Sequence, residues 1–340
     1  MASKIECCCA SNLLADPPWA DANCFIVVTG ASRGFGQALC IQLAKLLTAP
    51  KQARSLNFLI MARDLAALEK TASLIQSSKC PDSTTIINVM IPSLALDMAR
   101  VTQCELDKVL QPFFNLSTSE KYHNAKQWNL LIHNAATVGI VERRADERTD
   151  IYYMQSYYHT NLYAPILLTS LFLTHFAPHP KPHEPVTVIN VSSLAAEQAF
   201  PCMTDYCTAK AARQMYFRSL AVDRPTVAVF NYSPGPLDTD MYTDLSMRIG
   251  YAPSRQMFQE NKKAGRIIDP QESARVCVEW LRRRRSSVMD DEAQLEVPSA
   301  LVCPVHDSEF TELWKGTRLD YYVAVLRCPK LDSTGDEKTQ

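Results

Sequence analysis

The sequence predicts an α/β fold: a single doubly wound parallel sheet with helices on both faces. Three observations carry that prediction. Short, continuous apolar runs alternate with longer stretches of helical periodicity. A strand apolar on both sides belongs in a sheet covered on both faces, which parallel sheets require. The nine glycines of this 340-residue chain are sparse, yet Gly30, Gly34 and Gly36 fall within seven residues, between the first apolar run and the first helix.

Taken in order, Cys24–Thr29 reads as a buried strand and Phe35–Leu47 as an amphipathic helix. Leu56–Met61 is a second strand, followed by a helix over Leu65–Ser77. Thr84–Met90, Asn129–His133, Val186–Val191 and Thr226–Phe230 are strands three to six. Long helices over Ile151–Phe176 and Ala209–Val222 separate the later ones. Right-handed crossovers then leave the dinucleotide-binding topology as the simplest arrangement. Residues 1–23 read as a polar leader, 24–297 as the catalytic domain and 298–340 as a C-terminal extension with a polar end. Cys7-Cys8-Cys9 reads as part of the leader, and the run Arg282 to Arg285 as a solvated helix C-terminus, where cations suit the dipole.

Composition narrows the function. Basic and acidic side chains number 35 and 36, for a net charge of −1, which disfavours binding to nucleic acid or anionic membrane. No apolar run is long enough to span a bilayer, and the N-terminus lacks a secretory pattern. Twelve irregularly spaced cysteines in such a chain point to reduced thiols and a cytosolic location. No His/Cys spacing suggests a metal site.

The turn Thr29-Gly-Ala-Ser-Arg-Gly-Phe-Gly36 gives the backbone the freedom to approach a pyrophosphate, which the amide groups and dipole of the following helix attract. Arg33 within it and Arg63 after the second strand can grip a 2′-phosphate, which favours NADP(H) over NAD. Asp64 is the opposing feature, or a helix N-cap. In Tyr206-Cys-Thr-Ala-Lys210, the tyrosine and lysine share one helix face, where an ammonium would lower the phenol pKa. Ser193 lies at the end of the fifth strand, where a hydroxyl can hold an oxygen that gains charge.

These motifs resemble the short-chain dehydrogenases/reductases over residues 24–297. The resemblance runs through the glycine turn, Asp97, His133-Asn134-Ala135-Ala136, Asn161, Ser193, Tyr206-x-x-x-Lys210 and Pro234-Gly235. Two longer stretches, Tyr206 to Arg213 and Asn231 to Met241, are most similar to the family's pterin-reducing branch. The resemblance implies an NADPH-dependent reductase of the side-chain carbonyls of 6-substituted pterins, acting as a homodimer through its long helices. A general carbonyl reductase for aldehydes or diketones and a non-catalytic NADPH sensor are the alternatives.

It further implies roles. Tyr206 would donate the proton, Lys210 would hold the nicotinamide ribose, Ser193 would polarise the carbonyl and Asn161 would order a water chain. Gly30, Ser32, Arg33, Gly34, Phe35, Gly36, Arg63, Asp97, Asn134, Leu237, Thr239 and Met241 would meet the cofactor. Ser192 and Gly235 would line the substrate pocket, and Glu296 would anchor the pterin ring. Ala136 replaces a glycine usual in the family, which predicts an altered cofactor geometry there.

Overall fold

The computed structural model describes residues 17–49, 52–178, 185–282 and 315–320. Seven parallel strands form one sheet: β1 (Asn23–Thr29), β2 (Ser55–Met61), β3 (Ile86–Met90), β4 (Gln127–His133), β5 (Val186–Val191), β6 (Val227–Ser233) and β7 (Lys315–Asp320), in the order β3-β2-β1-β4-β5-β6-β7. The helices are α1 (Gly34–Leu47), α2 (Leu65–Ser77), α3 (Gln103–Ser117), α4 (Ile151–Tyr158), α5 (Ala164–Phe176), α6 (Thr204–Asp223), α7 (Asp240–Arg248), α8 (Ala252–Lys263) and α9 (Pro270–Arg282).

The alternation of β1 shows why the central strands are apolar throughout. Cys24, Ile26 and Val28 face one core with α1, α2 and α9, whereas Phe25 and Val27 face the other with α3, α5 and α6. Strand order reverses between β1 and β4. There the two neighbouring crossovers leave on opposite faces and open a crevice at the strands' carboxyl ends.

Three expectations change. The helix over Ile151–Phe176 is two helices joined by a π-helical turn at His159–Tyr163, a form that often marks functional positions. Trp19 and Ala22, in the stretch read as a leader, are buried in the core, with the Trp19 ring tilted against Trp128, centroids 5.0 Å apart. Lys315–Asp320, in the stretch read as an extension, pairs with β6, so the sheet continues past residue 297. Cys7-Cys8-Cys9, Arg283 to Arg285 and Glu296 lie outside the described residues.

Helix α3 has no counterpart in the sequence reading because Pro112 sits within it. The proline is exposed, so the carbonyl it leaves without an amide faces water. A capping box, Thr102 with Glu105, fixes its start. Among the described residues no helix is long and apolar enough to cross a membrane, and no cluster of metal-ligating side chains occurs.

Candidate active site

The glycine turn follows β1 directly. Gly30 and Gly34 adopt φ of +66° and +56°, a region that side chains disfavour. At Gly36 a Cβ would lie 2.3 Å from the Gly30 carbonyl oxygen, so the helix start could not approach β1 this closely with any other residue. Asn134 locks the turn from β4: its amide donates to the Thr29 and Gly30 carbonyls at 3.2 and 3.0 Å. Helices α2, α3, α4, α7 and α9 carry a side-chain N-cap. α1 does not, and it has no acid in its first turn. The cradle therefore fits a dinucleotide pyrophosphate, with Ser32 beside it.

Arg33 and Arg63 are both exposed. Arg33 pairs with Asp240 at the start of α7, bridging the turn to the segment after β6. That segment places Thr239 against the turn, with its methyl 3.4 Å from the Cβ position of Gly34. Met241 is partly exposed, and Leu237 bridges to Ile268. Asp64 caps α2 by accepting from the Ala67 amide at 3.0 Å. Asp97, half-buried after β3, accepts from the Ala99 amide and pairs with Arg100. The Phe35 side chain is not at the cleft: it is buried and stacks on Tyr232, so only its backbone can serve a cofactor. Ala136 avoids the left-handed region: the described non-glycine residues with positive φ are Asp21, Asn124 and Cys202. Its methyl is accommodated by ordinary backbone.

Across the crevice, α6 presents Tyr206 and Lys210 on one face, both buried. The Ser193 hydroxyl hydrogen-bonds Tyr206 and accepts from the Ala195 amide at 3.2 Å. The Lys210 ammonium donates to the Val191 carbonyl at 2.8 Å and lies 5.5 Å from the centre of the Tyr206 ring. Asn161 sits in the π-helical turn. Its side chain accepts from the Thr137 amide and donates to the Tyr157 carbonyl, tying the turn to the loop after β4. Gly235, at φ +79°, turns the chain after β6. Ser192 departs from its expected place: it is buried, with its hydroxyl donating to Gln214 at 2.6 Å and Gln214 donating in turn to Glu197. It braces the wall rather than lining it.

The electrostatics also differ from expectation. Burial pushes the Tyr206 phenol up to about 12, opposed by the Ser193 hydrogen bond and the charge of Arg213. Burial, with help from Arg213, holds Lys210 well below its ordinary value. A second cation that favours phenolate is therefore Arg213, which the sequence reading passed over as part of a motif. A guanidinium seven residues after a tyrosine shares its helix face, and that spacing was the available signal.

The surroundings of Tyr206 are apolar: Val138, Val141, Met203, Leu245 and Ile249 belong to the same buried cluster. A buried ion pair between Arg148 and Asp205 clamps the loop after β4 to the start of α6.

Comparison with known proteins agrees with this geometry. The family described as short chain dehydrogenase matches over residues 116–249. The sepiapterin reductase of Meriones unguiculatus is 35% identical over 258 residues, 76% of this chain and 90% of the relative. The chain belongs to the short-chain dehydrogenase/reductase family. The sepiapterin reductase of Bos taurus is 34% identical, over 75% of this chain and 88% of its own. A short chain dehydrogenase/reductase from Saccharomyces cerevisiae has the same fold, with a TM-score of 0.61 at 20% identity over 88% of this chain and 96% of that one. This family member is a carbonyl-reducing oxidoreductase that works with a nicotinamide cofactor.

Proposed function

We propose that the protein reduces the side-chain carbonyls of 6-substituted pterins with NADPH: sepiapterin to dihydrobiopterin, and 6-pyruvoyl-tetrahydropterin to tetrahydrobiopterin. The observation that carries this reading is the hydrogen-bonded Ser193–Tyr206 pair with Lys210 beside it, at the carboxyl edge of the sheet that also carries the glycine turn, in a chain similar to sepiapterin reductases over most of their length. NADP(H) is favoured because Arg33 and Arg63 are exposed beside the turn, while Asp64, the acid that could accept from ribose hydroxyls, is occupied as a helix cap.

When bound, the cofactor supplies a hydride to the carbonyl carbon. Ser193 holds the carbonyl oxygen, and Tyr206, kept protonated by burial, donates its proton to that oxygen. Lys210 holds the ribose and directs proton return to Tyr206. Asn161 fixes the π-helical turn behind them. Gly30, Gly34 and Gly36 admit the pyrophosphate, Asn134 holds their turn, Asp97 meets the adenine, and Leu237, Thr239 and Met241 bracket the nicotinamide end. Glu296 is the proposed pterin anchor.

Exposed apolar side chains, Ile151 and Tyr152 on α4, Tyr163 at the end of the π-helical turn, and Met215 and Val222 on α6, support a homodimer through these elements. The seven described cysteines are all free, which suits a reducing cytosol.

The test follows NADPH consumption with sepiapterin beside a simple diketone. Sepiapterin is expected to be the better substrate, Glu296→Gln to raise its KM selectively, and Tyr206→Phe to lower kcat by about 10²–10⁴-fold while NADPH still binds. Turnover of the diketone alone would leave a general carbonyl reductase, the reading that the apolar side chains around Tyr206 favour.

A further inference from the structure

Arg213 is almost completely buried, at 1% exposure, and its hydrogen bonds go to three backbone carbonyls and a side-chain amide rather than to a carboxylate. A buried guanidinium is costly unless its donors are satisfied. Here they are satisfied from four different segments of the chain. Nε donates to the Asn190 side chain of β5 at 2.7 Å. Nη2 donates to the carbonyl of His133, the last residue of β4, at 2.6 Å. Nη1 donates to the Ala135 carbonyl at 3.1 Å, just past Asn134, and lies 3.5 Å from the Asn161 carbonyl in the π-helical turn. Asn190 is itself held by Asn231 of β6, at 2.8 Å. One side chain of the catalytic helix thus joins two strands, the loop that carries Asn134 and the turn that carries Asn161. Its place on α6, three residues after Lys210 and seven after Tyr206, puts it on the face both use.

We propose that Arg213 is a positioning residue for carbonyl reduction: its guanidinium sets the Tyr206–Lys210 face against the Asn134 and Asn161 segments and supplies the fixed positive charge behind the phenolate left by proton donation. The proposal rests on the assignment of Tyr206 as donor. In the step concerned, hydride forms the new C–H bond, the carbonyl π pair takes the Tyr206 proton, and Tyr206 is left negative until solvent returns a proton through Lys210. The guanidinium keeps its charge across the working pH range, so the phenolate meets a fixed cation in addition to the Lys210 side chain.

The other groups around Tyr206 do not supply this charge. On α6, Asp205 is engaged by Arg148 of the loop after β4, and Cys207 has its thiol pushed up by burial. From α4, Tyr153 and Tyr157 are held neutral, and Tyr158 is shifted in the same direction. Ser193 is uncharged, and His133 of β4 is kept neutral by burial and by Arg213 itself.

The experiment compares Arg213→Ala, Arg213→Lys and Tyr206→Phe with wild type in full-length protein, using sepiapterin and NADPH. NADPH affinity and thermal unfolding are measured on each. Arg213→Ala is expected to bind NADPH within about two-fold of wild type, keep KM and lose at least about ten-fold in kcat. Arg213→Lys, which retains the charge but not the fork, should fall between the two. Millimolar guanidinium should restore turnover to Arg213→Ala, and urea, a neutral molecule of the same shape, should not. Unchanged kcat per folded molecule, or equal restoration by urea, overturns the proposal.

If Arg213→Ala does not fold, Asn190→Asp carries the test. A carboxylate on Nε would neutralise the guanidinium in place, lowering kcat at unchanged NADPH affinity, and an unchanged kcat there overturns the proposal. Turnover surviving Tyr206→Phe would instead sink the donor assignment. Loss in Tyr206→Phe without loss in Arg213→Ala would sink the role of Arg213 alone.

Discussion

The two walls of the crevice are built by opposite means. On the cofactor side the geometry comes from atoms that are missing: Gly36 touches the Gly30 carbonyl where any Cβ would collide, and Asn134 fills the remaining gap. On the catalytic side it comes from polar atoms carried into the core: Lys210 on the Val191 carbonyl, Arg213 on three carbonyls and an amide, and Arg148 on Asp205. The first wall is intolerant of anything added and the second of anything removed. Their ion pairs show the same contrast. Arg33 and Asp240 have side chains 71% and 74% exposed, whereas Arg148 and Asp205 are at 5% and 8%.

The largest effect should come from deletion in the buried wall. Arg148→Ala leaves Asp205 charged and unpaired next to Tyr206, and about 3–5 kcal/mol of stability should be lost. Denaturant unfolding measures this. Replacing both partners together, Arg148→Met with Asp205→Leu, should cost less than the single change, and an equal or greater cost would show that the pair is not the unit that matters.

Addition to the other wall comes next. Gly36→Ala should cost about 1–3 kcal/mol through overpacking and weaken NADPH binding at least ten-fold, read by fluorescence titration. An alanine tolerated there would mean that the helix start can withdraw from β1.

A smaller, graded effect concerns His133, the buried ring whose carbonyl Arg213 holds. Burial, then the charge of Arg213, depress its pKa well below 6.5. Its folded value lies below its unfolded one, so the stability it contributes is present above pH 6.5 and is lost as pH falls from there towards the folded value. The slope should be at most about 1.4 kcal/mol per pH unit. His133→Asn should flatten it, leaving the part due to His175, which partial burial lowers likewise. An unchanged slope would place the acid sensitivity elsewhere.

The smallest stability change should follow Arg33→Ala. Breaking its exposed pair should alter stability by less than about 1 kcal/mol. NADPH KM should nevertheless rise about ten-fold with NADH unaffected, through loss of one charge-assisted contact to the 2′-phosphate. A parallel loss with NADH would remove Arg33 from cofactor selection.

The difference between the walls also explains what was legible beforehand. Strands β1, β2, β5 and β6 and helices α1, α2 and α6 announce themselves by local periodicity. The glycine turn and Tyr206-x-x-x-Lys210 announce themselves by spacing, because the relevant partners lie within one turn of the chain. Helix α3 hid behind Pro112, although its Thr102-x-x-Glu105 box was present as a signal. The π-helical turn had none, since His159–Tyr163 holds no proline or glycine to interrupt the helical run.

The sequence by itself determined the order and type of the central elements, the cradle for a pyrophosphate and the identity of the residues around Tyr206. Those follow from backbone sterics and local hydrophobic pattern, which act over a few residues. Tertiary structure alone decided that Phe35 and Ser192 turn away from the cleft, and that Trp19 and Lys315–Asp320 belong to the folded domain. It also decided that Arg213 reaches His133, 80 residues away in the chain, and Arg148 reaches Asp205, 57 away. The energy of a buried charge depends on which carbonyls and carboxylates surround it once water is excluded, and only the packed sheet brings those groups together.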